Sequence, residues 1–196
     1  GEGVQAVQHE QLPRVGELRH APLGTIGRRH MLVGALQAQR RQQRQKHEHG
    51  LGLKEIQTTI AKIDPLPGAK EFLDELRTMT QVVILSDTFE EFAQPLMKKL
   101  GWPTIFCNSL EVAPDGEITG FKMRCEQSKL TTVKALQSMG YETIAAGDSY
   151  NDLGMIQASK AGFLFKSTDK IKADHPELPA FEEFGELLEG IRKALD

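Results

Sequence analysis

The chain has 196 residues, enough for one domain with a real core or a core plus a small cap. A formal net charge of -3 and a pI of about 6.1 remove any global electrostatic case for nucleic acid or an acidic membrane surface, while small anionic metabolites need only a local positive site. No apolar run approaches the ~20 residues that span a bilayer and no h-region stands at the N-terminus. Cys107 and Cys125 lack C-x-x-C spacing and read as reduced thiols, so a soluble cytoplasmic protein is expected.

Residues 1–46 contain no Asp, Asn, Ser, Cys or aromatic residue; the first aspartate of the chain is Asp64. "ALQAQRRQQRQKHEH" is helix-compatible by propensity but carries almost no apolar stripe, and its basic run (Arg40, Arg41, Arg44, Lys46) reads as a solvated face. His47 and His49 have no Cys or carboxylate pattern to complete a metal site.

From Leu51 helices and strands alternate. Leu53, Ile56, Ile60 and Ile63 recur at helical spacing until Pro65 and Pro67 stop the run. "GAKEFLDELRTM" predicts a second amphipathic helix, with Phe72, Leu73 and Leu76 inward. "QVVILSD" is a continuous apolar run of the kind that forms a strand covered on both faces. Thr88 with Glu91 has the form of a capping box opening a helix to Gly101, with Pro95 predicting a kink or a late start. "PTIFCNSLEV" predicts a strand that leads through "PDG" into a β-hairpin over residues 109–124. Ser128 is placed to cap a helix ending at Gly140. "ETIAAG" and "AGFLF" predict buried strands around a short helix "DLGMIQAS", and "FEEFGELLEGIRKALD" a closing helix. This order predicts an α/β fold, a parallel sheet with helices on both faces.

In such sheets the ligand site lies beyond the carboxyl ends of the strands. Ser86 and Asp87 end one strand, Asp148 ends another, and Lys129 opens the helix between them. A hydroxyl, helix N-terminal N–H groups and an ammonium suit a phosphate, and Asp148 offers a hard oxygen to Mg²⁺. Taken singly, each residue has a plain structural use: Asp after a strand often caps a helix, and Lys at a helix start is usually solvated.

Together, "VVILSDTF", "SKLTTV" and "AAGDSYNDLGM" resemble motifs two, three and four of the haloacid dehalogenase superfamily. From about His47 to the end, "EHGLGLKEIQ", "QVVILSDTF", "FAQPLMKKLG" and "IAAGDSYND" are similar to the phosphoserine phosphatase branch, including its bifunctional phosphoserine phosphatase/homoserine phosphotransferase members. The resemblance implies a Rossmann-like core over residues 47–196 and Mg²⁺-dependent hydrolysis of a small phosphorylated amino acid, O-phospho-L-serine, through an aspartyl-phosphate. It implies that Ser86 hydrogen-bonds the transferring phosphoryl and Asp87 belongs to the substrate edge. Lys129 neutralises phosphate charge, Asp148 binds Mg²⁺, Asn151 contacts substrate or phosphate, and Asp152 orients Lys129 or a metal-bound water. Passage of the phosphoryl group to homoserine is the alternative, and a non-catalytic phosphate-binding remnant a third reading.

Family members begin with an apolar strand ending in D-x-[DE]-G-[TV], whose first Asp is the nucleophile. Only "GEGV", with Glu2 as the second acid, matches the tail of that motif. Residues 1–46 therefore read as an atypical Gln/Arg/His-rich segment, from an altered reading frame or a substitution, in place of the first strand and helical cap. Loss of a mid-sheet strand would leave two open edges and predicts aggregation or partial disorder.

Overall fold

A computed structural model describes the backbone of His30–Gly34 and residues 52–196. The expected polar helix and the two histidines at 47 and 49 lie outside the described residues.

Seven strands form one sheet in the order β4-β3-β2-β1-β5-β6-β7. They are β1 (His30–Gly34), β2 (Gln81–Phe89), β3 (Thr104–Val112), β4 (Ile118–Lys122), β5 (Glu142–Gly147), β6 (Ala161–Phe165) and β7 (Ala180–Phe181). Every pairing is parallel except that of β3 with β4, the antiparallel hairpin. The helices are α1 (Leu53–Ile60), α2 (Ala69–Met79), α3 (Glu90–Lys99), α4 (Ser128–Ser138), α5 (Leu153–Ala158), α6 (Asp169–Asp174) and α7 (Phe184–Leu195).

Period-two alternation distributes the strand side chains between two cores. Val83, Leu85, Ala145 and Leu164 face Val133 and Leu136 of α4, Met155 and Ile156 of α5, and Ile171 of α6. Their neighbours Ile144, Ala146 and Phe163 face the other way, onto Leu76 of α2 and Leu187, Leu188 and Ile191 of α7. Ile84 joins that second face with Leu73 of α2 and Ala93, Leu96 and Met97 of α3. The helices on both faces and the hairpin are as the residue pattern predicts.

The centre of the sheet differs from expectation. The backbone of His30–Gly34 pairs in parallel with β2 on one side (Met31 with Gln81 to Gly34 with Ile84) and with β5 on the other (His30 with Glu142 to Gly34 with Ala146). A strand thus occupies the central slot, and the two interior edges expected to stand open are paired. Its core, "MLV", is a short apolar run of the kind a central parallel strand requires.

Pro95 does not delay the start of α3, which runs from Glu90 through Pro95 to Lys99. Proline has no N–H for the carbonyl four residues back, here that of Glu91, and the Gln57 side-chain amide of α1 donates to that carbonyl at 2.8 Å. Lys99 adds a second tie, donating to the Ala61 and Ile63 carbonyls beyond the end of α1 at 2.8 Å each and pairing with Asp64 at 2.7 Å. Gln57→Leu removes the donor and leaves a half-buried carbonyl without it. The expected loss is about 1–3 kcal/mol of unfolding free energy, measured by urea denaturation, with no change at the sheet's carboxyl ends.

Two expected caps are used otherwise. Thr88 is buried within β2, α3 opens at Glu90 with no side-chain cap, and Glu91 accepts instead from the Leu110 N–H at 2.9 Å. Ser128 is the first residue of α4 and not its N-cap; its hydroxyl donates to Asp87 Oδ1 at 3.2 Å. In both cases a partner distant in sequence outcompetes the local backbone.

Candidate active site

Ser86 and Asp87 are expected from the sequence to end β2; the strand runs on to Phe89, but its regular pairing stops at Leu85. With only β1 between β2 and β5, these two residues and Asp148, which follows β5, lie at one rim of the sheet. Helix α4 starts over the same rim and brings Lys129 down into it.

Lys129 is buried, with only 7 % of its side chain exposed, and its Nζ lies 2.5 Å from Asp152 Oδ1 and 3.5 Å from Asp87 Oδ2. Burying an ammonium is costly unless it is paired, and the two carboxylates meet that requirement unequally. Asp152 is fully enclosed, whereas the Asp87 side chain is 35 % exposed and faces the cleft. The second oxygen of Asp152 accepts from the backbone N–H groups of Asp148 and Ser149, each at 3.1 Å, and from the Ser149 hydroxyl at 2.9 Å. Burial pushes the Asp152 carboxyl up, but the charge and hydrogen bond of Lys129 together with the Ser149 hydroxyl and backbone bonds outweigh it, and its pKa is lowered. Asp152 therefore stays ionised and clamps both Lys129 and the turn that carries Asp148.

Asp148 has the opposite electrostatics. Burial, then its contact with Asp152 and that residue's charge, push its carboxyl up to about 7 from an ordinary value of 3.8. Among the described residues its buried Oδ1 has no hydrogen-bond partner. Two carboxylates four residues apart thus have different characters: one saturated with donors, one with an oxygen that no described donor meets.

Gly147 makes this arrangement possible. A Cβ there would sit 2.5 Å from Asp152 Cβ and 2.8 Å from its Cγ. Gly147→Ala is expected to displace Asp152 from Lys129, costing about 1–3 kcal/mol and weakening any anion held by Lys129. A thermal melt together with a phosphate titration checks both effects.

The 3₁₀ turn Tyr150–Asp152 follows Asp148, closed by a capping box between Ser149 and Asp152. Tyr150 ties that turn to α6 through hydrogen bonds with Asp174 and Lys170. Asn151 is exposed and, with Asp87, Lys129, Met123, Cys125 and Leu130, lines a cleft of about 480 Å³ between the rim and the segment following the hairpin. Ser86, next to the cleft-lining Asp87, is buried, its Oγ accepting the Thr88 N–H at 3.2 Å. Cys107 and Cys125 are both free thiols.

All six residues singled out in the sequence, Ser86, Asp87, Lys129, Asp148, Asn151 and Asp152, therefore gather at one rim. Sequence reading missed Gly147, the bond from Ser128 to Asp87 and the pairings of Asn108 and Arg124. The first had a signal, a glycine between a strand and an acid. The others are defined only by contacts across the fold. Among the described residues there is no group of three or more His, Cys, Asp or Glu positioned to hold a metal, and no helix is long and apolar enough to cross a membrane.

A family model for haloacid dehalogenase-like hydrolases matches residues 4–160. The chain is 46% identical over 147 residues to phosphoserine phosphatase ThrH of Pseudomonas aeruginosa, a match covering 75% of this chain and 72% of that one. It is also 46% identical over 147 residues to a phosphoserine phosphatase of Pseudomonas syringae pv. tomato, of whose length the match covers 62%, under two thirds. Among solved structures, an apo phosphoserine phosphatase superposes with a TM-score of 0.64 at 21% identity, covering 80% of this chain and 94% of that one. A phosphoserine phosphatase from T. onnurineus gives the same TM-score at 19% identity, covering 87% and 98%. At those identities the structural likeness speaks for the fold, while the family-model match and the closer sequence relatives speak for descent. The chain belongs to the haloacid dehalogenase-like hydrolases, in their phosphoserine phosphatase branch.

Proposed function

We propose that this site binds the phosphoryl group of a small phosphomonoester, O-phospho-L-serine, and that residues 47–196 form the phosphatase core that hydrolyses it in intact relatives. The observation that carries the reading is Lys129: a buried ammonium at the rim of the sheet, bracketed by Asp152 and the cleft-facing Asp87. Phosphoserine as the substrate is supported by the names of the two relatives at 46% identity.

In this reading the Ser86 hydroxyl donates to a phosphoryl oxygen, Lys129 neutralises its charge, and Asn151 contacts the substrate at the open side. Asp152 binds nothing directly; it holds Lys129 in place and in its charged state. The Asp87 carboxylate forms the substrate edge. Asp148 suits Mg²⁺, because its Oδ1 is a buried hard oxygen without a partner among the described residues. One carboxylate is enough, since Mg²⁺ commonly takes one or two protein carboxylates and completes its shell with water and substrate oxygens. When bound, the cation supplies charge neutralisation on the phosphoryl oxygens.

Among these 196 residues the first Asp is Asp64, and the strand in the central slot, His30–Gly34, carries no acid. We infer that these 196 residues bind phosphate but turn over phosphoserine far below the enzyme median of about 10 per second. Phosphate release from phosphoserine, with and without Mg²⁺, tests this beside calorimetric titration of inorganic phosphate into the chain and into Lys129→Met. Binding that needs Lys129 with little turnover is expected. Turnover near the median overturns the impairment, and absence of binding overturns the site.

A pH dependence follows from Asp148. A cation takes the ionised carboxylate, and below about pH 7 a proton competes for it. Mg²⁺ affinity is expected to rise by up to tenfold per unit as pH climbs toward about 7 and to level off above it, measured by calorimetry from about pH 5 to about pH 9. Stability runs the other way without a cation. A carboxyl whose folded pKa is raised binds its proton more tightly folded than unfolded, so its contribution falls as pH rises from about 3.8 through about 7.

A further inference from the structure

We propose that Asn108 and Arg124 are positioning residues that set the distance between the Ser86–Asp87 strand end and Lys129; the inference rests on the phosphate-site reading above. Lys129 is fixed on one side by a wholly buried partner, Asp152; the carboxylate it meets on its cleft side among the described residues is Asp87, at 3.5 Å and 35 % exposed. Burial does not hold Asp87. A closed circuit of hydrogen bonds does.

Asn108 lies in β3 where that strand stops pairing with β2, at Phe89, and begins pairing with β4 at Ser109. The ladder is irregular between Leu85 and Phe89, so the backbone around Ser86 and Asp87 lacks regular strand pairing to β3. The Asn108 side chain, in a residue only 2% exposed, takes over. Its Nδ2 donates to the Asp87 carbonyl at 3.1 Å, and its Oδ1 accepts the Arg124 N–H at 3.0 Å. Arg124 lies with its guanidinium 5.5 Å from the Phe106 ring centroid and donates to the Ser128 carbonyl at 2.8 Å and to Thr132 Oγ1 at 2.5 Å. Ser128 closes the circuit by donating to Asp87 Oδ1 at 3.2 Å. The path thus leaves Asp87 through its carbonyl, crosses Asn108 and Arg124 to the first turn of α4, and returns to Asp87 through its carboxylate.

Each member has the chemistry its place demands. Asn108 must donate on one side and accept on the other, which neither Asp nor Leu can do. Arg124 reaches two acceptors on one helix through one guanidinium nitrogen, with its guanidinium carbon 5.5 Å from the Phe106 ring centroid, a cation–π distance that Arg more often supplies than Lys. A purely structural network would have no reason to begin and end on Asp87 and to anchor on the residue beside Lys129. The receptor for a tetrahedral anion depends on that spacing, and misplacement of a binding group by about 1 Å is enough to cost orders of magnitude.

The test uses the whole chain and inorganic phosphate as the probe. Asn108→Leu and Arg124→Gln are expected to weaken phosphate binding about tenfold or more, measured by calorimetry at a temperature where each is fully folded. Gln57→Leu, destabilised at a distance from the rim, is expected to bind phosphate as the unaltered chain does, which separates positioning from general loss of stability. Phosphate affinity within about twofold of the unaltered chain in both rim variants, with Lys129→Met abolishing binding, overturns the proposal. Hydrogen exchange supplies a readout free of ligand and of the phosphate-site reading. In Arg124→Gln, where Asn108 and its bond from the residue-124 N–H are untouched, amides of residues 86–89 and 128–131 are expected to open together. Opening of one segment without the other overturns the circuit. Failure of the unaltered chain to bind phosphate instead overturns the phosphate site, and the exchange result then decides the circuit alone.

Discussion

Asp152→Asn is expected to lower the free energy of unfolding by about 3–5 kcal/mol, because it leaves a buried ammonium without its nearest counter-charge. Among the described residues Lys129 would keep only Asp87, 3.5 Å away and partly screened by solvent, which places the loss in the lower half of that range. The amide also brings a donor to a pocket already filled with donors: the N–H groups of Asp148 and Ser149 and the Ser149 hydroxyl all point at the second oxygen. Lys129→Met should cost less, since Asp152 then retains those three hydrogen bonds. The pH dependence separates charge from shape. Asp152 has a lowered pKa in the fold, so its stabilisation is present above about pH 3.8 and is lost as pH falls through the folded value. The difference between the unaltered chain and Asp152→Asn should therefore be full near neutrality and shrink in acid. Urea denaturation at about pH 7 and about pH 3 checks it; a loss below about 1 kcal/mol at neutrality would show that Asp152 does not hold Lys129.

The parts of the fold that were legible in sequence are those where one physical preference acts alone. The run "QVVILSD" and the helix spacings of Phe72, Leu73 and Leu76 report burial directly, and β2 and α2 lie where the pattern puts them. The candidate site was legible for a related reason. Parallel strands deliver their last residues to one rim, so Ser86 and Asp148 meet there whatever the loops do. Legibility failed where two uses of one residue compete. Thr88 and Glu91 have the form of a capping box, yet the strand continues through Phe89 and Glu91 turns to Leu110. Ser128 serves Asp87 in preference to its own helix. Pro95 suggests a kink or a late start, yet α3 starts at Glu90, and the donor that meets the carbonyl freed by Pro95, Gln57, lies 38 residues away in sequence. The strand His30–Gly34 is five residues inside a Gln- and Arg-rich stretch, too short for any periodicity to show, and its role comes entirely from the open slot between β2 and β5.

That slot is what makes repair of the chain plausible. Replacement of residues 1–46 by a segment that brings an apolar strand ending in D-x-[DE]-G-[TV] into the central slot is expected to raise phosphate release from phosphoserine by about 10⁴-fold or more. The register shows where the new acid would arrive. Gly34 pairs with Ala146, two residues before Asp148, and with Ile84, two residues before Ser86. An acid carried just past the end of a strand in this slot therefore emerges between the residue proposed to hold Mg²⁺ and the hydroxyl proposed to hold the phosphoryl group, within reach of the Lys129 charge. No rearrangement of β2, β5 or α4 is needed, so the gain should appear mainly in kcat, with phosphoserine affinity changing far less. The same replacement with Asn in place of the first Asp of the motif should return release to the level of the unaltered chain, and with Lys129→Met it should lose both binding and turnover. A replaced chain that folds, binds phosphoserine and still fails to turn it over would mean that residues 47–196 have lost more than the attacking atom. Restored turnover would place the whole defect in the first 46 residues and leave Ser86, Lys129 and Asp148 as a competent receptor.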